Sequence, residues 1–126
     1  MADADEIRAT VEEYVSRWNG GDGSALAELF HPDATVADPV DEAAHRGRDA
    51  IAAFFTSTFT SGMDATLAIT GPIRVAGRHA AFPMQVSMDL GGQTGRLDII
   101  DTMEFDEDGS ILAMAAYWDA AAMEIS

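Results

Sequence analysis

The chain has 126 residues, 48% of them hydrophobic, and sets 22 acids against seven arginines, with no lysine and no cysteine, for a formal net charge of −15. That size makes one domain, residues 1–126, with a core large enough to enclose a small cavity. The charge leaves no basic stripe for phosphates or anionic lipid, so nucleic acid and membrane surfaces are excluded as partners. The missing lysine and cysteine exclude Schiff-base, thiolate and disulfide chemistry.

Residues 4–19 form an amphipathic helix. Ile7, Val11, Tyr14, Val15 and Trp18 recur at helical spacing on one stripe. Asp3 or Asp5 caps its start, and Asn19-Gly20-Gly21 ends it. The preceding Met1-Ala2-Asp3-Ala4-Asp5-Glu6 has no apolar signal core, no run is long enough to span a bilayer, and a cytoplasmic protein is expected. Asp22 and Ser24 open a short second helix with Leu26, Leu29 and Phe30 on one side, stopped by His31-Pro32-Asp33. Ala34 to Asp38 is a brief strand closed by Pro39, and a polar loop covers 40–47. A third helix runs from about Arg48 to Thr58 with Ile51, Phe54 and Phe55.

Beyond it lie four strand-like runs, near 64–75, 79–90, 95–106 and 110–119, with hairpin signals at Gly91-Gly92 and Asp108-Gly109. Helices followed by an antiparallel meander predict an α+β domain. In the second run Ala80, Phe82, Met84, Val86, Met88 and Leu90 share one face, and Pro83, lacking a ladder donor, marks a bulge or an edge. In the last run Ile111, Ala113, Ala115 and Tyr117 share one face, while Leu112, Met114, Ala116 and Trp118 share the other. A strand apolar on both faces is covered on both, here by helices and by a second copy of the chain. The seven methionines read as core and pocket lining.

One position breaks the apolar pattern. In the third strand-like run Leu97, Ile99, Asp101, Met103 and Phe105 point one way. A carboxylate among them is costly unless it is paired or keeps its proton. Asp38, in phase with Ala34 and Val36, also leans inward, and Tyr14 lies on the apolar stripe of the first helix. Each has an ordinary structural reading: a satisfied core tyrosine, a turn-capping aspartate, an aspartate paired with an arginine. Three ionisable groups on apolar faces together indicate a pocket. His31, His45 and His79 show no ligand spacing, so no metal site is expected.

These residues resemble the delta-5-3-ketosteroid isomerases, within the nuclear-transport-factor-2-like, or SnoaL-like, superfamily. The resemblance rests on Val11-Glu12-Glu13-Tyr14-Val15, on Asp33-Ala34-Thr35-Val36-Ala37-Asp38-Pro39 with Arg46-Gly47-Arg48, on Gly71-Pro72-Ile73-Arg74, on Leu97-Asp98-Ile99-Ile100-Asp101-Thr102-Met103, and on Ala116-Tyr117-Trp118. It implies a cone-shaped, curved mixed or antiparallel sheet wrapped by three helices, a homodimer, and no metal or organic cofactor. It also implies a steroid delta-isomerase, which moves a β,γ double bond of a 3-oxo-Δ5 steroid into conjugation. By the resemblance Asp38 is the general base, and Tyr14 with a protonated Asp101 donates to the dienolate oxygen. That family is itself the reference case for a carboxylic acid kept neutral to donate such a bond. Phe54, Phe82, Met84, Met103, Met114 and Trp118 are expected walls for a flat apolar ketone. Phe30 and Phe55 stand where members of the family often carry supporting tyrosines.

Two alternatives remain open. A SnoaL-like polyketide cyclase or dehydratase would use the same aspartates on another carbonyl substrate. Such cyclases often place a histidine near the acid, and here none shares a strand phase with Asp38 or Asp101. A noncatalytic module for a small apolar ligand is the other, though it has little need for two inward carboxyls.

Overall fold

The structure is a computed structural model that describes residues 2–62 and 64–126. Met1 and Met63, counted among the core methionines from sequence, lie outside the described residues. The first helix, α1, spans Ala4–Gly20. The Asp3 carboxylate caps it by accepting from the Glu6 N–H at 2.9 Å, and Gly21 closes it in the left-handed region at φ 73°. Ile7, Val11 and Tyr14 are buried on the expected stripe. Asp22 caps the short α2, Gly23–Ala27, and α3 spans Arg48–Phe59.

The strands are β1 (Phe30–Ala37), β2 (His45–Arg46), β3 (Asp64–Ile69), β4 (Arg74–Ala76), β5 (His79–Asp89), β6 (Thr94–Phe105), β7 (Ile111–Tyr117) and β8 (Glu124–Ile125). They form one curved mixed sheet of order β2-β1-β7-β6-β5-β3, with β4 also on β5 and β8 also on β6. All pairs are antiparallel except β1 with β7. The helices cover one face, where Phe30, Phe55, Phe82 and Phe105 are almost fully buried. No described helix is long and apolar enough to cross a membrane.

Several sequence expectations need correction. Phe30 begins β1 rather than closing α2, because its backbone pairs in parallel with Ile111. The strand then slips register before Thr35, which accommodates Pro32, a residue with no ladder donor. The 40–47 loop contains β2, with Val36 opposite His45. The 64–75 run is two strands, and Pro83 explains the break. The Thr70 N–H donates to the Pro83 carbonyl at 3.0 Å, so Pro83 turns its missing donor toward the gap between β3 and β4. Its other side pairs continuously with β6, so Pro83 is at neither a bulge nor an outer edge. Leu90 escapes the buried face of β5 and is 41% exposed. Ile111 and Tyr117 do not share an environment: a register shift next to Phe105 turns Ile111 into the core and leaves Tyr117 half exposed.

The β6 register sets the site. Asp101 lies between Phe82 on β5 and Ala116 on β7. It is the one polar residue among the buried described residues, at 2% exposure.

Candidate active site

A cavity of about 460 Å³ lies between the concave face of the sheet and the helices α1 and α3. That volume suits a small organic ligand. Along β6 it is lined by Asp101, Ile99 and Leu97, which share strand parity. The four residue steps from Leu97 to Asp101, at about 3.3 Å each, make this wall about 13 Å long. Met84, Val86 and Met88 of β5 run beside it, and Phe54, Phe55 and Phe59 of α3 face them. The walls are mostly apolar; Tyr14, Asp38, Asp101 and the Trp118 indole form one polar group, and Asn19, Thr58 and Asp64 are the other polar side chains in the lining.

Each polar group is delivered by a different element. Tyr14 comes from α1, three residues past Val11 on the same stripe. Its ring is held edge-on by Phe30, with centroids 6.5 Å apart, and by Phe55, 6.3 Å apart. Phe30 and Phe55 stand where members of the resembled family often carry supporting tyrosines, so no second phenol reaches the Tyr14 hydroxyl from there. No buried side-chain oxygen or nitrogen of the described residues is both sealed and unpartnered. The Tyr14 hydroxyl and the Asp101 carboxyl make no bond to another described side chain, so both open on the cavity.

Asp38 follows β1. The parallel β1–β7 ladder pairs Ala37 with Ala115, and Val40 N–H donates to the Ala116 carbonyl at 2.8 Å. This brings residue 38 beside residue 118, eighty positions later in the chain. The Trp118 Nε1–H donates to the Asp38 carboxylate at 2.6 Å. Sequence reasoning placed Trp118 in the wall but missed this bond. Only parallel pairing between β1 and β7 creates it, and the local pattern carries no signal of that pairing.

Burial drives the electrostatics. Desolvation, then the nearby Asp38 charge, pushes the Asp101 carboxyl well above its usual range. Desolvation, then Asp101 and Asp38, pushes the Tyr14 hydroxyl well above 10.0. Asp38 is also raised by burial, but the Trp118 N–H and then His45 act against the rise, while Glu42 adds to it. Asp101 has no arginine partner among the described ion pairs, so the structural reading of a buried pair does not hold. Two groups whose burial favours the protonated, hydrogen-bond-donating form therefore share a largely apolar pocket with one partly supported carboxylate. That arrangement can remove a proton from carbon while stabilising charge on oxygen.

Of the expected walls, Phe54, Met84 and Trp118 line the cavity, and Phe82, Met103 and Met114 do not. Strand parity identified their face correctly but says nothing about depth. Phe82 sits in register with Asp101 at the closed end and is 1% exposed. Met103 and Met114 pair with each other one inward position beyond it. Trp18 and Leu97 are lining residues that sequence reasoning missed, while Met88 and Met123 line the cavity as methionines read as core and pocket lining. The histidine argument also changes. His45 reaches Asp38 from the neighbouring strand β2, not from its own strand, and stacks on Phe54 with centroids 4.3 Å apart. Among the described residues no group of three or more His, Cys, Asp or Glu side chains is placed to hold a metal ion.

The chain is similar to known proteins in both sequence and fold. A model of the SnoaL-like domain matches residues 11–114. A steroid delta-isomerase of Nocardioides simplex is 36% identical over 121 residues, covering 96% of each chain. The solved structure of SalBIII, described as an epoxide hydrolase/cyclase-like enzyme in pyran ring formation in the polyether salinomycin, superimposes with a TM-score of 0.88 at 25% identity over the whole of both chains. The fold, the matched span and the close relative together place this chain in the SnoaL-like, ketosteroid-isomerase-like family of enzymes.

Proposed function

We propose that the protein is a steroid delta-isomerase, acting on a 3-oxo-Δ5 steroid or a similar β,γ-unsaturated ketone. The observation that carries the reading is Asp101: a buried acid without an ion-pair partner among the described residues, opening on the same largely apolar cavity as Asp38, where burial favours its protonated form. In this reading the ketone oxygen lies against the Tyr14 hydroxyl and the Asp101 carboxyl. The Asp38 carboxylate takes a proton from the carbon between the ketone and the double bond. The electron pair moves onto oxygen, and the dienolate is held by the two donors. Asp38 then returns the proton two carbons further along, and the enone is conjugated. The donors are already fixed where charge develops, so the step needs little reorganisation. The 13 Å apolar wall from Asp101 to Leu97 suits a rigid, elongated hydrocarbon skeleton, and the identity to the Nocardioides isomerase supports the substrate class.

A cyclase or epoxide-opening enzyme is the second reading. The likeness to SalBIII and the position of His45 near Asp38 favour it over the noncatalytic module. One assay separates the three. An androstene-dione with an isolated double bond is added, and conjugated-enone absorbance is followed. A rapid rise supports the isomerase. Binding without a rise supports the module, and neither supports the cyclase. Asp38→Asn should abolish most of the rise while leaving the circular dichroism spectrum unchanged. Equal turnover in that variant removes Asp38 as the base.

The assembly we propose is a homodimer built on the sheet face away from the helices, where Ile100 and Tyr117 are 51% and 50% exposed. Sedimentation as a monomer at micromolar concentration would contradict it.

A further inference from the structure

We propose that His45 is a positioning residue for the Asp38 base: held by β2 and by its stack on Phe54, it favours the carboxylate form of Asp38 from outside the cavity. For catalysis this rests on the isomerase reading, but the electrostatic link stands apart from it. Three observations place the imidazole. The β1–β2 ladder sets His45 opposite Val36, two residues before Asp38. The ring lies nearly parallel to Phe54, at 25° and 4.3 Å. Phe54 in turn lines the cavity beside Asp38, whereas His45 does not. His45 thus acts on the base from behind an aromatic wall, without touching substrate.

The charges around the pair set the sign. Tyr14 of α1 and Asp101 of β6 reach Asp38 from across the cavity, and neither brings a positive charge. Glu42, in the loop before β2, opposes ionisation of Asp38, and Trp118 and His45 favour it. Of the elements packed on β2, β1 carries His31, whose Nδ1 accepts from the Asp33 N–H, and Asp33 itself. The other, α3, carries the exposed Asp49 and Arg48, whose guanidinium donates to the Phe30 carbonyl at 2.6 Å. Arg46, next to His45 on β2, is exposed, and the Arg48 guanidinium is anchored elsewhere; among the side chains that act on Asp38, Trp118 and His45 favour its carboxylate.

The test uses His45→Phe, which keeps an aromatic stack without charge, with His45→Gln as a second variant should the first fail to fold. The Asp38 carboxyl is titrated by carbon-13 NMR, assigned by its absence in Asp38→Asn, and kcat/KM is measured against pH. The expected result is an upward move of both the Asp38 titration and the acid limb, by about half to one pH unit, or about three- to tenfold less turnover on that limb. His45→Lys, which restores charge, should recover part of the shift. Superimposed titrations in a folded variant would overturn the proposal, as would an acid limb that moves while the Asp38 titration stays still. If the parent does not isomerise ketosteroids but the titration still moves, the isomerase reading fails and the link from His45 to Asp38 stands.

Discussion

Asp101→Asn is expected to change how stability depends on pH, with a sign opposite to that of an ordinary ion-paired aspartate. Burial raises the Asp101 carboxyl well above its usual 3.8 in the folded state. Between 3.8 and the raised value, the folded protein holds a proton that the unfolded chain has released. Unfolding free energy therefore falls as pH rises through that window. The contribution is complete below about pH 3.8 and lost once the folded-state carboxyl ionises. One such group gives a slope of at most about 1.4 kcal/mol per pH unit. Asp38 adds a second share of the same sign, over a narrower window because Trp118 and His45 oppose its rise. Asparagine keeps the size and polarity of the side chain but has no proton to lose. Urea unfolding at pH steps between 4 and 8 should therefore show a steeper decline in the parent than in Asp101→Asn. Each 1.4 kcal/mol of difference moves the midpoint by roughly 0.5–1.4 M urea. The 22 acids also repel one another more as pH rises, so the parent slope alone decides nothing and the difference between the two proteins is what counts. Parallel curves would show that Asp101 gains no proton on folding, and the oxyanion reading would lose its donor.

Three further outcomes follow from the same geometry. Trp118→Phe deletes the 2.6 Å bond to Asp38 and should raise the acid limb of kcat/KM by about one to two pH units, since a bond to a charged group is worth about 1.5–3 kcal/mol; an unmoved limb would show that the indole only fills space. Asp101→Leu should cost about 10²–10³ in kcat, the usual loss for one oxyanion donor, and Tyr14→Phe should cost less, because its phenol is a weaker acid flanked only by Phe30 and Phe55; single-turnover rates would rank them, and a larger loss at Tyr14 would reverse the assignment of the main donor. Gly23→Ala should destabilise by about 1–3 kcal/mol in thermal melts, because the added methyl would meet the Ala52 carbonyl oxygen and the Thr56 nitrogen at 2.8 Å; an unchanged melting temperature would mean that α2 and α3 can separate freely.

What could be read from sequence follows from what local patterns encode. The stripe of α1 and its Asp3 and Gly21 caps involve residues within a few turns of each other, and all were legible. So was the phase of β6, because period-two alternation exposes a single misplaced carboxylate. Depth along a strand has no such signature, which is why Phe82, Met103 and Met114 were placed on the right face but beyond the cavity. Parallel pairing of β1 with β7 joins residues about eighty apart through backbone bonds alone. It moved the start of β1 to Phe30 and created the Trp118–Asp38 bond, and neither was visible in composition. The two-residue β2 is too short for any periodicity, so His45 read as a loop residue. Met123 joins the wall only because the following β8 pairs with Gly95 and Arg96, another contact between distant segments.

The central claim is that the carboxyl at 101 carries a proton at neutral pH while the one at 38 does not. Infrared difference spectra of the parent against Asp101→Asn and against Asp38→Asn measure this directly. The account predicts that the first difference contains a protonated carboxylic C=O band and the second a carboxylate band. A carboxylate band in the parent minus Asp101→Asn spectrum would contradict it.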